Sequence, residues 1–374
     1  MPADYRAAFI RGGTSKALVF HERDLPEARE ERDAIFLRAM GSPDPYGRQL
    51  DGMGGGLSSL SKVCVVGPPS RPDADVDYLF AQVQVDTPAV DYTGNCGNMS
   101  SAIGPFAVDE GLVPAVAGEA SVRVHNVNTG KIIRAAFEVR DGRSVTEGDY
   151  RLQGVAGTGA PVRLDFLEPG GAATGALLPA GQVTTRLTVA ASLVDASNPV
   201  VFLDAADLGL TATELPEALD GDAETAERVE SLRREGSVRM GLAGDERAAG
   251  ERRMTPFVAV VAPPAAYRTL SGEEVPENEI DLLVRFWSNG KAHRALPLTG
   301  ALCTAIAARL PGSVVHRQVR DHRAGGSLRL GSPSGPLEVD ASVVADSSAP
   351  EGFRAQYATA YRTTRRLFTG FVHV

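Results

Sequence analysis

A cysteine and a lysine carry the chemistry within reach of this sequence. Cys96 stands in a loop, residues 94–98, that packs two glycines, two asparagines and the thiol into five positions. The chain then turns apolar-periodic at once: Met99, Ala102, Ile103, Phe106 and Ala107 follow the i, i+3, i+4, i+7, i+8 rule of a largely buried helix. Cys96 is therefore expected at a helix N-terminus, where unpaired backbone N–H groups and the positive end of the helix dipole favour an anion, thiolate or bound carboxylate alike. The competing reading is a buried structural cysteine, a common state of free thiols. Lys62 opens a short apolar run, Ser61-Lys62-Val63-Cys64-Val65-Val66. A lysine there either snorkels to water or, if buried, is driven toward a neutral amine that can accept a proton.

Other residues suit an anionic ligand. Arg48 can grip a carboxylate bidentately, and the glycine-rich run that follows it, with Gly54 and Gly55, lets the backbone approach a ligand; solvated loops have the same composition. The run lacks the spacing and the Lys-Ser/Thr ending of a phosphate loop. Thr14 and Ser15, in Gly12-Gly13-Thr14-Ser15-Lys16, offer hydroxyls from a break that also reads as a plain turn.

These residues must be positioned by a chain of 374 residues, long enough for two domains. Hydrophobic content of 43%, charged content of 23%, 40 glycines and 24 prolines describe a globular, turn-rich protein. A net charge of -9 argues against a general nucleic-acid or anionic-membrane surface, and it requires that an anionic substrate meet a locally positive pocket. Three scattered cysteines (64, 96 and 303) form no disulfide framework, the N-terminus does not read as a secretory leader, and no apolar run reaches the ~18–20 residues that span a bilayer. The expectation is a cytoplasmic protein. The histidines show no paired metal spacing.

Strands are expected over 5–11, 17–20, 61–66, 77–85, 121–127, 131–139, 162–167 and 184–190. Charged amphipathic helices are expected over 25–40 and 222–240, and 170–175 reads as a linker or surface loop. The second half repeats the plan: strands over 200–203, 257–262 and 280–287 precede an apolar helix over 301–310, and 362–374 reads as a closing strand. Gly94 and Gly300 each precede a buried helix and are each followed some 35 residues later by a hairpin glycine, Gly130 or Gly335. That spacing marks an internal duplication. The expected architecture is α+β, with two pseudo-symmetric halves, each a curved, mostly antiparallel sheet or barrel wrapped on a central helix. The halves are placed at 1–183, completed by 360–374, and at 184–359; a twofold arrangement would bring both helix N-termini to one cleft.

Residues 11–16 (RGGTSK), 47–55 (GRQLDGMGG), 61–63, 77–80 (DYLF), 95–107 and 296–303 (LPLTGALC) resemble the 2-methylaconitate cis-trans isomerase family. Its relatives are the methylitaconate and 4-oxalomesaconate isomerases, all of diaminopimelate-epimerase-like fold, and the likeness spans nearly the full length. It implies proton transfer on an unsaturated di- or tricarboxylate without cofactor or metal, with Lys62 and Cys96 as the acid/base pair. It also implies a homo-oligomer, a dimer, with no nucleic-acid or membrane partner. Donors to the dienolate oxygens are then expected from Thr14, Ser15, Gly54, Gly55, Gly97, Asn98, Thr299 and Gly300, with Arg48, Asp91, Asn95, His293 and Ser334 completing the substrate-binding set.

The sequence departs from the pattern in two places. Amino-acid epimerases of this fold carry a second cysteine directly after Thr-Gly-Ala, where Leu302 stands here and Cys303 follows one position later. A two-thiol mechanism is therefore not expected. Relatives also carry His-Pro-Ser-Gly in the second hairpin, where this chain has Ser332-Pro333-Ser334-Gly335, leaving His293 as the histidine of the second half. Two other function classes compete: a cysteine hydrolase, for which no histidine pairs with Cys96, and a non-catalytic carboxylate-binding accessory protein, against which the presence of both Lys62 and Cys96 speaks.

Overall fold

The computed structural model describes residues 4–92, 95–320 and 326–374; Gly94 lies outside the described residues. The chain forms two compact units, one of residues 1–166 with 361–374 and the other of residues 167–360.

The first unit contains β1 (Asp4–Gly12), β2 (Ser15–His21), α1 (Arg29–Met40), β3 (Lys62–Gly67), β4 (Val76–Val83), α2 (Gly97–Asp109), β5 (Gly118–Asn126), β6 (Lys131–Arg140) and β7 (Pro161–Leu167). Neighbours pair in the order β1 to β6, alternately antiparallel and parallel, and β7 joins β6 antiparallel. Strands β2 to β4 are buried on both faces, which explains their near-continuous apolar sequences. Ala17, Val19, Cys64, Val66, Tyr78 and Phe80 pack with Met99, Ile103 and Phe106 of α2. Their strand neighbours Leu18, Phe20, Val63, Val65, Ala81 and Val83 pack with Ile35, Phe36 and Met40 of α1. Lys62 and Gln82 share the parity of Cys64 and Phe80, so the two-residue period turns both toward the side of α2.

Two sequence expectations shift here. The helix expected from residue 25 starts at Arg29, because Glu22–Asp24 forms a 3-10 turn and Leu25, preceding a proline, is extended. The strand expected over 184–190 is interrupted: Thr185–Arg186 is followed by a turn in which the Leu187 N–H donates to the Val189 carbonyl at 2.9 Å, and the long strand begins at Ala190.

The second unit contains β8 (Ala190–Ala196), β9 (Asn198–Asp204), α3 (Ala223–Arg239), β10 (Phe257–Ala262), β11 (Leu282–Ser288), α4 (Leu298–Ala308), β12 (Leu328–Ser332) and β13 (Gly335–Ala345). Pairing from β8 to β13 again alternates antiparallel and parallel, and α4 is inserted between the fourth and fifth strands, where α2 stands in the first unit. The duplication is thus one of topology. The glycine-rich stretch 170–175 is anchored rather than a free linker: the buried Asp195 carboxylate accepts from the N–H groups of Ala173 and Thr174 and from the Thr174 hydroxyl.

The last strand, β14 (Phe353–His373), starts nine residues before the expected closing strand. Residues 353–360 pair with β13 inside the second unit, and residues 364–373 pair antiparallel with β1 inside the first. Among the described residues, no helix is long and apolar enough to cross a membrane.

Candidate active site

Lys62, the first residue of β3, is 7% exposed. In the strand register it lies opposite Gln82, and its Nζ donates to Gln82 Oε1 while sitting 4.9 Å from the Phe80 ring centroid. The amide of Gln82 has only one available orientation, since its Nε2 donates to the carbonyls of Ser61 at 2.8 Å and Ser58 at 3.0 Å. A neutral oxygen and an aromatic face hold the amine. Asp91 lies opposite Gln82 on the other side, which makes Lys62, Gln82 and Asp91 one cross-strand row. Nothing in the sequence marks Gln82; only the register of β3 on β4 singles it out. Gln82→Glu is expected to pin the ammonium and lower kcat about tenfold with little change in KM, an outcome to be read from steady-state kinetics.

Behind Lys62, Gln49 ties the glycine-rich loop together. This buried residue, at φ 54°, donates to the hydroxyls of Ser61 at 2.7 Å and Ser42 at 2.8 Å, and it accepts from the Gly56 N–H at 3.0 Å. The close approach that the glycines allow is to Gln49: a Cβ on Gly54 would fall 2.2 Å from Gln49 Oε1. The Gly54 N–H is committed to the Met40 carbonyl at 3.2 Å, Gly55 packs on Leu60, and Arg48 is exposed in an open groove of about 540 Å³ shared with Arg38, Asp44 and Asp51.

Cys96 is the N-cap residue of α2, extended at φ -108° and ψ 95°, and its thiol makes no capping hydrogen bond. The first-turn amides of Gly97 and Asn98 have no partner within the helix. The thiol instead lies 3.9 Å from the Ser15 hydroxyl. The β1–β2 turn is held against this helix start: Asn98 Nδ2 donates to Thr14 Oγ1 at 3.1 Å, and Asn98 Oδ1 accepts from Arg362 Nε at 3.0 Å. Gly13 is required there, with φ at 51° and Asn98 Oδ1 only 2.3 Å from where a Cβ would stand. The turn is also pinned to β14, the Gly13 N–H and Arg11 Nη1 both donating to the Thr363 carbonyl. Asn95 is fixed too, accepting from Asn126 Nδ2 at 3.2 Å and from the Ser100 hydroxyl at 3.4 Å. The side chains of Asn95 and Asn98 thus position the loop, and the backbone of the helix start is what it offers to an anion.

The Cys64 thiol, wholly buried between these parts, is pushed up by burial and by Cys96 and pulled down by Lys62. The two candidate proton carriers therefore lie within electrostatic reach of one buried point in the first unit. A chain of net charge -9 also places the buried guanidinium of Arg362 beside Cys96, held to about 10 by burial with Tyr150 and Cys96 opposing. Sequence reasoning missed Arg362, which carries no local motif.

In the second unit the candidates are differently occupied. His293 shares a hydrogen bond of 2.7 Å between Nε2 and the Ser288 hydroxyl, its ring lies 5.7 Å from that of Phe257, and burial lowers its pKa. Ser334 donates its hydroxyl to the Arg294 carbonyl at 2.5 Å. Thr299 is exposed in the first turn of α4, while Gly300 is buried where a Cβ would meet the Phe286 ring at 2.7 Å. Cys303 is fully buried, its thiol 3.5 Å from the Val194 carbonyl and pushed well up by burial. It is a core residue. Cys303→Ala is expected to lose about 1 kcal/mol of stability and keep activity within about tenfold; inactivation at unchanged Tm would restore a two-thiol mechanism. Among the described residues, no group of three or more His, Cys, Asp or Glu is arranged to hold a metal ion.

A family model described as PrpF protein matches residues 4–374. The 3-methylitaconate isomerase of Eubacterium barkeri is 40% identical over 372 residues, covering 98% of this chain and 96% of the relative. The 2-methyl-aconitate isomerase of Shewanella oneidensis is 39% identical over 389 residues, with 98% and 96% covered. A crystal structure of methylitaconate-delta-isomerase matches with a TM-score of 0.93 at 38% identity, covering 100% of this chain and 96% of that one.

Proposed function

The chain belongs to the PrpF protein family and is an isomerase, and from that premise we propose that it moves a proton on a small unsaturated di- or tricarboxylate, interconverting cis and trans isomers of a 2-methylaconitate-like acid. The observation that carries this reading is a buried lysine that, among the described residues, has no carboxylate partner, on the same side of its strand as Cys64, whose core cluster also packs against the thiol at the start of α2. We assign Lys62 the first proton. As a neutral amine it removes a carbon-bound proton next to a C=C conjugated with a carboxylate, and the electron pair spreads over a dienolate whose charge rests on the carboxylate oxygens. The ammonium so formed stabilises that charge together with the Gly97 and Asn98 amides. Bond rotation in the dienolate, then protonation of the same carbon by the Cys96 thiol, completes the cis-trans exchange, and transfer of the proton from the Lys62 ammonium through solvent to the Cys96 thiolate restores both groups. Protonation at the far end of the allyl system instead moves the double bond, the reaction of a methylitaconate or 4-oxalomesaconate substrate.

A hydrolytic use of Cys96 finds little support, because among the described residues no histidine hydrogen-bonds the thiol. Proton NMR in deuterium oxide against 2-methylaconitate, aconitate, methylitaconate and 4-oxalomesaconate tests the proposal. Isomerisation of at least one acid with solvent deuterium entering carbon is expected. Binding without isomerisation or exchange would reduce the protein to a carboxylate-binding accessory.

A further inference from the structure

Arg362 is 5% exposed, yet no carboxylate among the described residues acts on it. Its Nε donates to Asn98 Oδ1 at 3.0 Å and its Nη1 to the Tyr361 carbonyl at 2.8 Å, both neutral acceptors, and no atom of the described residues accepts from Nη2. A guanidinium removed from water without a counter-ion is costly, and that cost falls when an anion joins it. Nearby, Arg11 spends its Nη1 on the carbonyls of Gly13 and Thr363, so it braces the turn. Arg362 is thus a fixed positive charge with an open donor, bonded to the second residue of the helix that Cys96 begins.

We propose that Arg362 is a substrate-binding residue, its Nη2 taking an oxygen of the carboxylate conjugated with the reacting C=C, beside the Gly97 and Asn98 amides. The proposal rests on the isomerase reading for the identity of that carboxylate. It adds a specificity rule: the acid must carry a carboxylate directly on the unsaturated system, since a remote one would leave the charge at Arg362 unmet when the dienolate forms. Asn98 holds the guanidinium in place through its Oδ1 and holds the β1–β2 turn through its Nδ2.

The test is calorimetric titration with tricarballylate, a saturated tricarboxylate without a double bond to react, alongside kinetics on whichever panel acid exchanges deuterium. Arg362→Gln is expected to raise both the Kd for tricarballylate and KM by ~10²-fold and to lower kcat by only ~10-fold. Arg362→Lys, whose single ammonium cannot hold Asn98 and a carboxylate together, should weaken binding by ~10-fold, and it decides the matter if the glutamine variant fails to fold. Wild-type affinity in either folded variant overturns the proposal. So does a loss confined to kcat with a displaced pH profile, which would make Arg362 the counter-ion of the Cys96 thiolate. Tricarballylate binding that depends on Arg362, with no deuterium exchange on any acid in the wild type, sinks the isomerase reading and leaves the binding role standing. Isomerisation with unaltered KM in Arg362→Gln does the reverse.

Discussion

Lys62→Arg is expected to lower kcat by ~10²-fold or more while substrate still binds. Arginine keeps a positive charge beside Gln82 and Phe80, but it has no accessible neutral form near pH 7 and so cannot take a proton. If Lys62 only anchored a carboxylate, the variant would instead keep substantial kcat with an altered KM. On the proposed mechanism lysine and thiol act on one reacting system, so the pH profile of the wild type is expected to belong to the pair. Deuterium exchange separates the steps: arginine at 62 should abolish both isomerisation and exchange, and survival of both would falsify the proton-transfer assignment.

Cys96→Ser should lose ~10²- to 10⁴-fold in kcat, the usual worth of a positioned acid or base, and fold as well as the wild type or better. The gain in folding follows from the N-cap position: the thiol makes no capping bond, whereas a serine hydroxyl there can accept from an orphan amide of the first turn, which contributes about 0.5–2 kcal/mol. A raised Tm with lost turnover would show that the site keeps a poor capping residue for its chemistry. Near wild-type turnover in the serine variant would remove Cys96 from the mechanism.

What the sequence made legible was local. The jump from glycine and asparagine to a 3.6-residue period located the start of α2 at Cys96, and the apolar run after Lys62 located β3. The partners that make these residues useful come from afar, chosen by strand register and docking: Gln82 stands opposite Lys62, Gln49 reaches Ser61 from a loop, and Arg362 arrives on the last strand. No spacing rule connects residue 62 to 82 or 98 to 362. The glycine-rich run after Arg48 shows the same limit, since glycine reports close approach without saying to what, and the neighbour of Gly54 is a buried glutamine. Likewise Asp195 alone turns 170–175 from a linker into part of the second unit.

The pairing of residues 364–373 with 4–12 also sets an order of assembly during synthesis. The second unit ends at residue 360, but β1 waits for a strand that is made only after the whole of that unit. At about 5–20 residues per second, the first 166 residues stand without that strand for roughly 10–40 s. Until then the turn carrying Thr14 and Ser15 lacks the Thr363 carbonyl that pins it, so a nascent chain has Lys62 and Cys96 but no finished site. Contacts of such long range also slow refolding of the full chain. Chains released early, short of residue 363, are therefore expected to contain Lys62 and Cys96 and yet show no turnover.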